Sequence, residues 1–259
     1  MKQSTQIALI VLSIGLIIGC ENKPTQIEEV VQKETSNEGF VSMFDGETLD
    51  GWEGDAAYWS VENGQIIGEI KEGVDLPHNT FLIWAKSQPS DFEMKGEFKI
   101  SESGNSGIQY RSEKVEDLPY ALKGYQADMD GKNNYTGQNY EERKRTTLAY
   151  IGQKTRIKPQ EKEGDLRANI ERNAWLGMEV VESLGDRDSL SNLVKKEDWN
   201  EFRIVAKGNR LQHYINGVLM SDVTDEDPVN RSMEGYLGIQ AHRGPPMRVA
   251  LRNLYLKDL

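Results

Sequence analysis

The chain has 259 residues, with 31 Lys and Arg against 42 Asp and Glu for a formal charge of −11, and a single cysteine. That acidic balance excludes nucleic acid and an anionic membrane surface as partners and disfavours uronic-acid polymers, so a neutral ligand fits best. One thiol excludes an internal disulfide.

Met1-Lys2-Gln3 carries one positive charge, and Ile7 to Ile18 is an almost unbroken apolar run closed by Gly19 and Cys20. This order is an export signal of the lipoprotein type, with cleavage before Cys20 and lipid attached to its thiol. A spanning helix needs about 20 apolar residues, more than this run offers. The expected location is therefore the periplasm or the outer membrane or surface of a bacterium, with the membrane touched only through the lipid. Residues 21–38 are polar and acidic and lack an aromatic residue, which predicts a flexible tether. Residues 39–259 are expected to form one domain.

Within that domain short alternating runs are separated by Gly, Asn, Asp and Pro clusters, the pattern of an antiparallel sandwich. "YWSVENGQIIGE" (58–69) is a hairpin turned at Asn63-Gly64, a dipeptide suited to a type I′ turn. "DFEMKGEFKIS" sets Phe92, Met94, Phe98 and Ile100 on one face and a Glu-Lys series on the other. "WNEFRIVAKGNRLQHYINGVLMSDV" is a three-strand meander turned at Gly208-Asn209 and Asn216-Gly217. "RDSLSNLVKK" predicts a short helix capped by Asp188 or Ser189. The fold class is all-β with this one helix in a loop.

Three strands carry directional polar groups instead of the long flexible charges of a merely wet face. "GIQYRS" turns Gln109 and Arg111 away from Ile108 and Tyr110; "GYQADMD" turns out Gln126, Asp128 and Asp130; "YLGIQAH" turns out Tyr236, Gly238, Gln240 and His242. Half of every such strand faces water in any sandwich, so alternation alone needs no function. Gln, Arg, Asp and His, however, suit a ring of sugar hydroxyls, and Gly238 would let a ligand approach the backbone. The following run adds Tyr135, Tyr140, Glu141, Glu142, Arg143 and Arg145, read as a loop over the sheet with one carboxylate and one arginine turned inward. His213 shares a face with Leu211 and Ile215 and is expected to be a hydrogen-bonded core residue. His242, at a strand end before "RGPP", is the histidine best placed for chemistry. Trp84 and Trp199 are expected in the core. No tight His or Cys cluster suggests zinc, and "DMDGKN" lacks the spacing of a calcium loop. No cofactor is called for, and a divalent metal is left open.

Six stretches then carry a resemblance: "MFDGETLDGW", "GNSGIQYRS", "GYQADMDG", "YEERKRTTLA", "DWNEFRIVAKGNRLQHYINGV" and "GYLGIQAHRGPPMRVALRN", in this order over about residues 40 to 259. The chain resembles the 3-keto-disaccharide hydrolase family, which implies a concanavalin A-like jelly-roll sandwich. It also implies action on glycosides whose C3 hydroxyl a partner sugar 3-dehydrogenase has oxidised. A C3 ketone acidifies the C2 proton; its removal, elimination at C1 and hydration give net hydrolysis without the two carboxylates of most glycosidases. The resemblance puts the site on the polar faces above. Asp128 or His242 would take the C2 proton. Arg111 and Gln109, or Arg145, would stabilise the enolate; Glu141 is a reserve acid or base; and Gln126, Tyr140 and Gln240 would orient hydroxyls. Two other readings stand beside it. One is a non-catalytic carbohydrate-binding module on the same tether. The other is an ordinary glycosidase using Asp128 and Asp130, about 6.6 to 7 Å apart by strand rise.

Overall fold

The computed structural model describes residues 37–159, 173 and 175–259. The export signal, Cys20 and the tether up to residue 36 lie outside the described residues. Two sheets face each other. The larger runs in the order β12 (Met178–Ser183), β11 (Gln153–Ile157), β15 (Val218–Asp225), β14 (Arg210–Ile215), β13 (Asn200–Lys207), β6 (Phe92–Ile100), β17 (Met247–Asp258), β4 (Gln65–Ile70) and β3 (Trp59–Glu62), with β1 (Val41–Ser42) against β17. The smaller runs β10 (Thr146–Ala149), β9 (Asn139–Glu142), β8 (Leu122–Asp130), β7 (Asn105–Lys114), β16 (Tyr236–Ala241), β5 (Thr80–Trp84) and β2 (Trp52–Glu53). Among the described residues β11 and β15 form a parallel pair, and the other pairings are antiparallel.

Period-two patterning produces this arrangement. On β6, Phe92, Met94, Phe98 and Ile100 are buried and oppose Ile108, Tyr110, Tyr125 and Ile239 of the smaller sheet within one core. Each such large apolar side chain contributes roughly 1.5–3 kcal/mol on burial. The β3–β4 turn has Asn63 at φ 52° and Gly64 at φ 73°, the two left-handed residues a type I′ hairpin requires. The helix covers Arg187–Ser191, and its cap is Asp186, whose carboxylate accepts the Ser189 N–H at 2.9 Å. The expected caps, Asp188 and Ser189, already lie inside it. Trp84 is buried, but Trp199 is only half-buried, stacked 4.0 Å from the Arg252 guanidinium outside the core cluster.

The outer face of the smaller sheet is divided. At one end Phe81, Ile83 and Leu122 form an apolar cluster with Tyr236, beside the 115–121 turn, whose Tyr120 carbonyl accepts the Phe81 N–H. Gly238 belongs to this end: a Cβ there would lie 2.6 Å from the Leu122 side chain. Its missing side chain makes room for Leu122, not for a ligand. The other end of the face is polar and hollow.

Candidate active site

The hollow measures about 240 Å³ and is lined by Asn105, Gln126, Asp128, Tyr135, Gln138, Tyr140, Glu142, Asn173, Gln240 and His242. Strand register explains the gathering. Gly107 on β7 pairs with Asp128 on β8, and Gln109 pairs with Gln126, which pairs in turn with Tyr140 on β9; Gly124 pairs with Glu142. Alternate residues of three strands thus stand in rows on one face. Gly107 supplies the gap: a Cβ there would lie 2.6 Å from Gln126 Cγ, so Gln126 lies across a bare stretch of β7. Beyond Ile239, which pairs with Ile108, Gln240 reaches the same gap from β16.

Asp128 sits at the base of this arrangement and is 8% exposed. Gln126 Nε2 donates to its Oδ1 at 2.6 Å and Gln138 Nε2 donates to its Oδ2 at 2.6 Å. Among the described residues no cation touches it. Burial pushes its carboxyl up to about 7, against the two amide bonds, with the neighbouring charges of Glu142 and Asp130 adding to the rise. Glu142 is also raised by burial, partly offset by Asn79, which donates to its Oε1 at 3.1 Å, and by Arg143. Burial lowers His242, so the imidazole is neutral near pH 7. Its Nδ1 contacts the Arg243 carbonyl, which makes that nitrogen the N–H and leaves Nε2 with a lone pair. Burial raises the Tyr140 phenol, which stays a donor at neutral pH.

Several buried amide atoms in the hollow have no partner among the described residues. They are both Gln240 side-chain atoms and Gln138 Oε1, although Gln240 is fully buried. Buried amides without partners are costly, and a hydroxyl-bearing ligand satisfies them. The site therefore offers a carboxylate near neutrality, a second raised carboxyl, a neutral imidazole and idle amides. These groups can remove a proton, deliver one, and hold hydroxyls.

The family of 3-keto-alpha-glucoside-1,2-lyase-like domains matches residues 39–257. The chain belongs to this family. A 3-keto-disaccharide hydrolase of Bacteroides thetaiotaomicron is 32% identical over 96 residues, a stretch covering 33% of this chain and 31% of that protein's length. The match thus spans about a third of the curated relative. Among solved structures, a Parabacteroides distasonis protein with a provisional glycosyl hydrolase assignment is similar at TM-score 0.52 and 20% identity, over 89% of this chain and 98% of the other. A Bacillus subtilis protein of unknown function with a galectin-like fold is similar at TM-score 0.50 and 9% identity, covering 81% and 90%. At these identities the likeness establishes the sandwich fold.

Within this 3-keto-glucoside-lyase-like domain, the residues singled out from the sequence separate. Gln126, Asp128, Tyr140, Gln240 and His242 line the hollow. Gln109 lies just beneath: its Nε2 donates to Gln126 at 3.4 Å and its Oε1 accepts Ser112 Oγ at 2.6 Å. Arg111 does not face the site. A bulge after Tyr110 and a left-handed backbone at Arg111 (φ 45°) break the alternation and send its side chain to Asp91 and to the Ser90 and Gly208 carbonyls. Glu141 and Arg145 lie on the core side. Arg145 bonds Glu141 at 2.6 and 3.0 Å and Asp225 at 3.1 and 2.7 Å, tying the two sheets together. One carboxylate and one arginine of that run do turn inward, but into the core. Asp130 accepts the Asn134, Tyr135 and Thr136 N–H groups and staples the 131–138 loop, so it forms no acid–base pair with Asp128. His213 is a core residue, its Nε2 2.8 Å from the Tyr110 hydroxyl.

Sequence reasoning passed over Asn79, Asn105, Gln138 and Asn173. Glu142 and Tyr135 were noticed without a role. Parity offered a signal for two of them, since Gln138 and Glu142 flank Tyr140 at intervals of two on the same face. Asn79, Asn105 and Asn173 gave none.

Proposed function

We propose that this domain cleaves 3-keto-glycosides by elimination across C1 and C2 followed by hydration. Asp128 carries the reading: it is a buried carboxylate held by two amides, with no cation beside it among the described residues, poised near pH 7 inside a polar hollow. A base of that strength can take the C2 proton of a 3-keto sugar. The C2–H electrons pass into an enolate, whose oxygen the idle Gln240 Nε2 is placed to hold. Collapse of the enolate breaks the C1–O bond and leaves a C1=C2 enone. The departing oxygen takes its proton from Glu142 or from the Tyr140 phenol. Water then adds at C1, with its proton passing to the acid that was spent, and Asp128 returns a proton to C2. His242, neutral and carrying a free Nε2, is the second base within reach of the hollow. Family membership supports the sugar class.

The test is to supply a chromogenic glucoside and its 3-keto counterpart and to follow aglycone release. Release from the oxidised sugar alone supports the reading, as does its loss in Asp128→Asn. Equal release from both would make the protein an ordinary glycosidase. Binding without release would make it a carbohydrate-binding module. The lipid anchor is proposed on the export signal: palmitate labelling of the wild type that vanishes in Cys20→Ala is the expected outcome.

A further inference from the structure

Two walls of the hollow carry titratable groups on separate strands, Glu142 on β9 and His242 just after β16. A single side chain reaches both walls. Asn79 stands immediately before β5 and is 7% exposed. Its Nδ2 donates to Glu142 Oε1 at 3.1 Å, and its Oδ1 accepts the Arg243 backbone N–H at 2.9 Å. The amide cannot be reversed, because the Arg243 backbone N–H needs an oxygen to accept it. The β5–β16 ladder ends at Ala241 paired with Thr80. One step on, where Asn79 and His242 would face each other, this side-chain bond takes over from the main chain. The Arg243 peptide thus receives Asn79 at its N–H and His242 Nδ1 at its carbonyl. Neighbouring bonds stiffen the segment: Arg243 Nη1 donates to the Pro77 carbonyl at 3.0 Å, and His78 Nε2 lies 3.1 Å from the Pro119 carbonyl.

We propose that Asn79 is a positioning residue that joins Glu142 and His242 into one acid–base unit across the site. The inference rests on the reading of the hollow as the site of 3-keto-glycoside cleavage. Asn79 touches no reacting atom. It fixes the direction of the Glu142 carboxyl and, through one peptide group, the ring plane of His242. The other groups facing Glu142 are Arg143, 3.9 Å from its Oε1, with Asp128 and Tyr140 close enough for its charge to act on both. Arg243 is the charged group beside His242.

The substitutions separate the two arms of the clamp. Asn79→Asp still accepts from Arg243 but sets a second carboxylate against Glu142. Asn79→Ala removes both bonds. The full-length protein and both variants are titrated by NMR, following the Glu carboxyl carbons, with Glu142 assigned by its loss in Glu142→Gln, and the imidazole nitrogens. Only three histidines occur, and buried His213 serves as the internal check that each variant is folded. The Glu142 midpoint is expected to rise in both variants, by about one unit or more in Asn79→Asp, and the His242 midpoint to rise in Asn79→Asp. On the 3-keto-glucoside, kcat is expected to fall roughly tenfold or more while KM moves by less than about threefold. Midpoints of Glu142 and His242 that stay put in a folded Asn79→Asp protein overturn the inference. Shifted midpoints in a protein whose wild type releases no aglycone support the clamp and overturn only the proposed reaction.

Discussion

Asp128 and Glu141 are both buried carboxylates, on neighbouring strands of one sheet, yet they face opposite ways and live under different rules. Glu141 points into the core and meets Arg145, which donates to both of its oxygens. Burial works against the Arg145 charge, but Glu141 and Asp225 outweigh it and hold the guanidinium above its usual pKa. Asp128 points outward and, among the described residues, is held by two amides, so burial raises its carboxyl to about 7. A carboxylate matched to a guanidinium serves structure. A carboxylate matched to amides sits between two states and can serve chemistry.

The comparison can be broken at its strongest point by exchanging Asp128 for Asn. Turnover of the 3-keto-glucoside is expected to fall by roughly 10²–10⁴-fold, the usual worth of a general base, in a protein that still folds. Wild-type kcat/KM should correspondingly fall as the pH drops below about 7, where Asp128 takes up its proton. A profile flat from pH 5 to 9 would remove Asp128 as the base.

Arg145→Ala tests the other half. It takes the guanidinium away from buried Glu141, Asp225 and Asp227, leaving Glu141 with Lys144 at 3.7 Å and Asp225 with the Tyr125 hydroxyl, and a loss of about 3–5 kcal/mol in urea unfolding is expected. A loss under about 1 kcal/mol would show that the cluster is not structural.

A third measurement sets the two carboxylates on one stability scale. The Asp128 carboxyl is raised in the folded protein from an ordinary value of 3.8, so its protonated form is favoured by folding. Its contribution is full below pH 3.8 and is lost as the pH climbs through about 7. Asn has no such loss, so the stability of Asp128→Asn relative to wild type should grow between those pH values by an amount on the order of 4 kcal/mol. A constant difference between pH 4 and pH 8 would contradict the raised carboxyl.

The smallest expected effect comes from Gly107→Ala, whose new methyl would lie 2.6 Å from Gln126 Cγ and 2.9 Å from the Ala127 carbonyl oxygen, so Gln126 must move. It is expected to cost roughly 1–3 kcal/mol of stability, and one of the two amides leaves Asp128. KM for the keto-sugar should rise in the folded variant by roughly threefold or more. Crystals of the variant with Gln126 unmoved would refute the account of the gap.

The sandwich was readable because alternation and Asn-Gly turns are local signals, and each strand named from them forms. The hollow was readable only where alternation runs unbroken. Along β8 and the end of β16 parity holds, and Gln126, Asp128, Gln240 and His242 share a face. At Arg111 one left-handed residue reverses the side, and no residue type in "GIQYRS" announces it. Glu141 and Glu142 are adjacent and chemically alike, so only the register of β9 against β8 decides which is buried with Arg145 and which lines the hollow. Asn79 escaped notice because its partners lie 63 and 164 residues away.

The hydrocarbon plug of Phe81, Ile83 and Leu122 sets the kind of molecule the face can accept. It stops one end of the polar strip, so the strip is a blind alley and not a thoroughfare. On the proposed reading of the hollow as a sugar site, a short glycoside can end at this apolar boundary, whereas a long glycan laid along β8 would leave polar surface there.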